Sequence, residues 1–99
     1  MDDVIKLISS VYTKDSLGQE IPTETAREVF ASVQSVSRAE WQSAGQNGLR
    51  PAFVAVTPLI NYAGELTAEW RGKRFTVYRT FFKNETDEIE LYLEEKVGS

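Results

Sequence analysis

The stretch from Glu65 to Glu94 decides the fold: Glu65-Leu66-Thr67-Ala68-Glu69-Trp70, then Phe75-Thr76-Val77-Tyr78-Arg79-Thr80-Phe81, then Ile89-Glu90-Leu91-Tyr92-Leu93-Glu94. Each run alternates apolar and polar residues with a period of two, the period of a strand with one buried and one wet face. Leu66, Ala68 and Trp70 are expected on the buried side of the first run, with Glu65, Thr67 and Glu69 outside. Phe75, Val77 and Phe81 play the inward part in the second run, and Ile89, Leu91 and Leu93 in the third. Gly72 and Lys83-Asn84-Glu85 separate the runs, so the C-terminal third reads as an antiparallel meander.

Working back towards the N-terminus, Ala52 to Thr57 reads as another strand, closed by Pro58. Ser37-Arg38-Ala39-Glu40 has the form of a capping box, which predicts a short helix running to about Ala44, with Trp41 and Ala44 on one face. Gly45 and Gly48 suit the conformation that ends helices, and Pro51 prevents resumption. Gly45-Gln46-Asn47-Gly48-Leu49-Arg50 is therefore expected to be a long flexible loop. Arg27 to Val36 alternates Val29, Ala31 and Val33 with Ser32 and Gln34 and reads as a strand. Ile21-Pro22-Thr23 is expected as an extended linker, and Lys14-Asp15-Ser16-Leu17-Gly18 as a turn. Val4 to Tyr12 is read as a strand, although its Val4/Leu7/Ile8/Val11 spacing also suits a helix. Five to six short strands with one short helix imply a mainly β domain, a small antiparallel barrel or sandwich, and 99 residues leave no room for a second domain beside 1–99.

Composition narrows the chemistry. The chain has no His and no Cys, which removes imidazole acid/base work, thiol nucleophiles, the usual Cys/His zinc sites and disulfides. No catalytic, metal-binding or cofactor-binding set is expected, and the chain is read as a non-enzyme. Eleven Lys and Arg against 15 Asp and Glu give a net charge of −4, which disfavours a sequence-independent grip on phosphates. Met1-Asp2-Asp3 lacks the positive start of a secretory signal, and Pro51 to Gly64 is too short for a membrane span, so a cytosolic protein without a membrane partner is expected.

Two charge runs stand out. Glu85, Asp87, Glu88, Glu90, Glu94 and Glu95 could hold a carboxylate pair or a calcium ion, but a solvated strand face explains them better. Arg71 to Lys83 contains five basic residues and no acidic one, mixed with Phe75, Tyr78, Phe81 and Phe82. That mixture suits a barrel that stacks single-stranded nucleic acid, although neutralisation by the acidic strand across a hairpin is the simpler explanation. A third reading sets Arg71, Lys73 and Arg74 of one subunit against Glu88, Glu90 and Glu94 of the next. Trp41 reads either as an exposed anchor or, more simply, as the residue that pins the helix to the barrel.

Taken in order, Val29-Phe30-Ala31-Ser32-Val33-Gln34-Ser35-Val36-Ser37-Arg38-Ala39-Glu40-Trp41, Ala44-Gly45, Asn47-Gly48-Leu49-Arg50-Pro51, Asn61-Tyr62-Ala63-Gly64-Glu65, Trp70-Arg71-Gly72-Lys73, Tyr78-Arg79-Thr80 and Ile89-Glu90-Leu91-Tyr92 resemble the head-tail joining, or head-closure, family of tailed bacteriophages. The resemblance covers nearly the whole chain. It implies a structural protein of the virion neck, encoded by a phage or prophage, that is made in the host cytoplasm. Such a protein forms a homo-oligomeric ring beneath the portal-bound adaptor, retains the packaged DNA without sequence-specific contacts, and presents a surface to a tail-terminator or tail protein. In that family a loop from each subunit can plug the channel. By position the resemblance implies that role for Ser37, Arg38, Glu40, Trp41, Gly45, Gln46, Asn47, Gly48, Leu49 and Arg50, with Gly45 and Gly48 as expected hinges. The alternative function is a small nucleic-acid-binding barrel.

Overall fold

A computed structural model describes residues 2–95; Met1 and 96–99, the two ends of the expected domain, lie outside the described residues. The elements are β1 (Asp2–Lys14), β2 (Glu20–Ser35), α1 (Arg38–Gln46), β3 (Pro51–Pro58), a single 3-10 turn (Leu59–Asn61), β4 (Thr67–Trp70), β5 (Lys73–Lys83) and β6 (Glu88–Glu95). All pairings are antiparallel, and the strands close into a barrel in the order β1-β2-β3-β6-β5-β4. Closure removes most of the edges that an open sheet of this size would expose.

The core is the alternation made physical. Ile5 and Leu7 of β1, Val29 and Ala31 of β2, Ala55 of β3, Ala68 of β4, Phe75 and Val77 of β5, and Ile89, Leu91 and Leu93 of β6 form one buried cluster. Each large aliphatic side chain taken from water contributes about 1.5–3 kcal/mol. Phe53 packs edge-on to Trp70 at 4.7 Å and to Phe75 at 5.9 Å, filling the end of the barrel beside the β4–β5 turn. That turn is a two-residue hairpin in which Arg71 and Gly72 both have positive φ, 53° and 78°. Such a turn matches the twist of its flanking strands, and Gly72 adopts the conformation without steric cost.

Several expectations need correction. The first segment is a strand as expected, but Ile21-Pro22-Thr23 is strand rather than linker: β2 begins at Glu20, seven residues before Arg27, because it continues to pair with β1 as far as Lys14↔Glu20. The long hairpin gives the molecule extents of 50 × 30 × 24 Å. β4 begins at Thr67, so Leu66 is 69% exposed whereas Glu65, expected outside, is buried. Phe81 is not in the core: a bulge between Val77 and Arg79 adds a residue to β5 and flips the later side chains to the opposite face. The segment Gly45–Arg50 is not a long loop. α1 runs on to Gln46, Gly48 takes φ +79°, and the amides of Gly48 and Leu49 bond the carbonyls of Gly45 and Ala44 at 3.1 and 3.0 Å. This is a glycine-terminated helix cap in which Gly48, rather than Gly45, supplies the left-handed residue.

Candidate functional site

Three exposed features lie around the core: the helix flank, the protruding half of the β1–β2 hairpin, and the barrel end beside Trp70. The helix is fastened to the outside of the barrel. Ser37 caps it, accepting the Glu40 amide at 3.1 Å, but the reciprocal half of the capping box is missing because the Glu40 carboxylate turns to the barrel wall. There it accepts the Tyr78 hydroxyl at 2.6 Å and both Nε and Nη2 of Arg79, whose guanidinium lies 3.8 Å from the Tyr92 ring centre. The Arg79 bonds, helped by Tyr78, hold the Glu40 carboxyl below the usual carboxylate range despite its partial burial. Burial and the Glu40 carboxylate push the Tyr78 phenol well up, so it stays a donor at neutral pH.

Ala44 and Val54 are buried at this flank, and Ala44, Leu49, Tyr78 and Arg79 line one shallow depression. Arg50 donates its amide to Glu94 at 3.1 Å, tying the exit of the segment to β6. Of the residues expected in the gating loop, Glu40 and Leu49 thus face the barrel, while Gly45 and Gln46 border an open surface with Trp41. Trp41 is 59% exposed, so it is not the residue that pins the helix; Ala44 and Glu40 do that.

The hairpin divides at Ile8 and Ala26. From Lys6 to Ile8, β1 is flanked by β4 as well as β2; from Ser9 to Lys14 it pairs with β2 alone. β2 touches β3 only through Ser32–Ser35, so Glu20–Thr25 also has a single neighbour. This arm carries Val11, Tyr12 and Ile21 exposed on its faces and ends in a turn wound round Asp15, whose Oδ1 accepts the amides of Leu17 and Gln19, each at 2.9 Å. Leu17 at the tip is 81% exposed. Arg74 of β5 braces the arm by donating two parallel hydrogen bonds to Glu24, both at 2.9 Å, and lies 3.7 Å from Glu69. These partners raise the Arg74 pKa, Glu24 most of all.

At the base of the arm lies a polar group centred on Glu65. Arg27 donates to the Glu65 carboxylate at 2.6 Å and to the Asn61 carbonyl at 2.7 Å; the Ala63 amide adds a 2.7 Å bond to Glu65. Asn61 reaches Thr57, which donates to the Phe30 carbonyl. Burial raises the Glu65 pKa, but these hydrogen bonds outweigh it and hold the carboxyl low. Sequence reasoning missed this group, since Arg27 and Phe30 are far in the chain from Thr57, Asn61, Ala63 and Glu65, and Glu65 sits in an alternation that assigns it to solvent.

Several members of the two charge runs find partners within the subunit. Arg71 lies 3.5 Å from Asp3 and stacks on Trp70 at 4.6 Å, and Lys6 pairs with Glu69. Glu90 accepts the Tyr92 hydroxyl, and Lys83 stands opposite Glu88 in the ladder. Arg71, Lys73 and Arg74 are therefore not gathered against Glu88, Glu90 and Glu94 within one subunit. Lys73 has no ion pair among the described residues, and it flanks an apolar notch of about 230 Å³ lined by Phe53, Trp70 and Phe75. Among the described residues no group of His, Cys, Asp and Glu could hold a metal ion, and no helix is long and apolar enough to cross a membrane.

The class these features define is a small closed antiparallel barrel with a docked flank helix and a projecting two-stranded arm. No protein-family model and no curated protein matches the sequence.

Proposed function

We propose that this chain is a ring-forming structural subunit of a tailed-phage neck, which joins the portal-bound adaptor to the tail and closes the DNA channel after packaging. The observation that carries the reading is the arm: a barrel with a filled core presents, from Ser9 to Thr25, a hairpin with open edges and exposed Val11, Tyr12, Leu17 and Ile21. A two-stranded ribbon gains little stability alone, and large exposed apolar surface suits contact with other proteins. The resemblance of the sequence to head-closure proteins points the same way. On this reading the protein carries out no catalysis; the segment Ser37–Arg50 faces the channel as a docked helix, and ring assembly brings its copies together round an axis.

Three of the five cations in the basic run from Arg71 to Lys83, namely Arg71, Arg74 and Arg79, face carboxylates of the same subunit, which favours neck assembly over a nucleic-acid-binding barrel. The test adds purified protein to DNA-filled, tailless heads and follows DNA retention together with images of the neck. Retained DNA with new density beneath the portal is expected. Leakage unchanged by the protein, together with DNA affinity that falls steeply with salt, would replace this reading with the nucleic-acid-binding one.

A further inference from the structure

The arm and the notch lie at opposite ends of the molecule. β1 starts beside the β4–β5 turn, where Trp70 Nε1 donates to Asp3 at 2.8 Å, and advances by eleven residue steps from Asp3 to Lys14 at the far end. At the rise of an extended strand that is roughly 36 Å. The tip bears one apolar knob, Leu17, with Asp15 and Glu20 on either side of it. The notch has aromatic walls, with Lys73 and Arg71 at its rim; Glu95 is the acidic residue of its lining. Among the described residues neither Glu20 nor Lys73 has an ion-pair partner, and both are exposed.

We propose that the arm tip of one copy docks into the notch of the next, with Leu17 entering between Phe53, Trp70 and Phe75, and Glu20 meeting Lys73. Shape and charge both commit the occupant to a second copy: an exposed leucine beside unpaired acid on one end answers an aromatic recess beside an unpaired cation on the other. The two surfaces differ, so the contact is heterologous and repeats from copy to copy, closing a ring where the rotation per subunit permits. Asp15 serves by holding the turn, since its carboxylate is committed to the amides of Leu17 and Gln19. The Arg74–Glu24 brace limits the directions in which the tip can point.

This inference rests on the ring reading and names the surfaces that build the ring. The chain has no cysteine, so single-cysteine variants report contacts cleanly. Leu17→Cys mixed with Ala52→Cys, at the lip of the notch, is expected to form a disulfide-linked dimer under mild oxidation several-fold faster than Leu17→Cys mixed with Asn84→Cys on the β5–β6 turn. Adding Lys73→Glu to the Ala52→Cys partner should lower that yield, and Glu20→Lys in the Leu17→Cys partner should restore it. Equal yields for the notch and control pairs would overturn the contact, and a yield indifferent to both charge changes would overturn the Glu20–Lys73 pairing. Neither result touches the head-closure reading, which stands or falls on DNA retention by the unaltered protein.

Discussion

The two halves of the β1–β2 hairpin share strands, ladder and twist, yet they have opposite fates. In the barrel half, Ile5 stands opposite Val29 in the ladder, and both share the core cluster with Leu7 and Ala31, all fully or nearly fully buried. In the arm half, Val11 and Ile21 occupy the same alternation and are about half exposed. What changes at Ile8 is the neighbour: β4 is four residues long and ends its pairing with β1 there. Side-chain periodicity decides which face a residue takes, but a third strand decides whether that face is covered.

That contrast can be broken most forcefully in the core. Leu91→Ala is expected to cost about 2–5 kcal/mol in chemical denaturation, since it empties a fully buried site. Val11→Ala should stay within about 0.5 kcal/mol, as suits an exposed position. Equal losses would mean that the arm is folded into the cooperative core.

A second test acts at the boundary between the halves. Arg27→Ala leaves the Glu65 carboxylate buried without its cation, and a loss of about 2–3 kcal/mol is expected. The sign of the pH dependence follows from the lowered Glu65 and Glu40 pKa values, both below the ordinary 4.5. Their stabilisation is fully present above pH 4.5 and drains away as pH falls through the folded values. Arg27→Ala should therefore move the acid-unfolding midpoint upward; an unchanged midpoint would show that Ala63 and its neighbours hold Glu65 unaided.

On the helix flank, Glu40→Gln keeps the shape but loses the charged bonds to Arg79. A decrease of about 1–2 kcal/mol and faster amide exchange across Ala39–Gln46 are expected. The subtlest change sharpens the comparison: Arg74→Ala removes the brace between arm and barrel, so amide exchange should quicken from Ser9 to Lys14 and from Glu20 to Thr25 while Ile89–Leu93 stays protected. Uniform exchange across both halves would show that the brace does not define the arm.

Much of the fold was legible because the alternations in Thr67–Trp70, Lys73–Val77 and Glu88–Glu95 report burial directly. The capping serine was legible too, being a local signal between Ser37 and Glu40. The expectation of a linker at Ile21-Pro22-Thr23 fails because proline, which disrupts a central strand, is tolerated on a strand with only one neighbour. Phe81 and Glu65 were misplaced because a bulge and a strand start reset the phase, and neither leaves a mark in residue type. The tip residue Leu17 was visible as part of a turn, but nothing in its surroundings along the chain connects it to the notch at Trp70.

The order of residues alone establishes a mainly β chain with one capped helix, without His or Cys chemistry and with charge segregated along its last third. These are properties of neighbours within a few positions, set by periodicity, turn geometry and composition. Barrel closure, the commitment of Glu40 to Arg79 and of Glu65 to Arg27, and the exposure of the arm were decided only in three dimensions. Each depends on which distant strands come together and where the shortest of them, β4, stops.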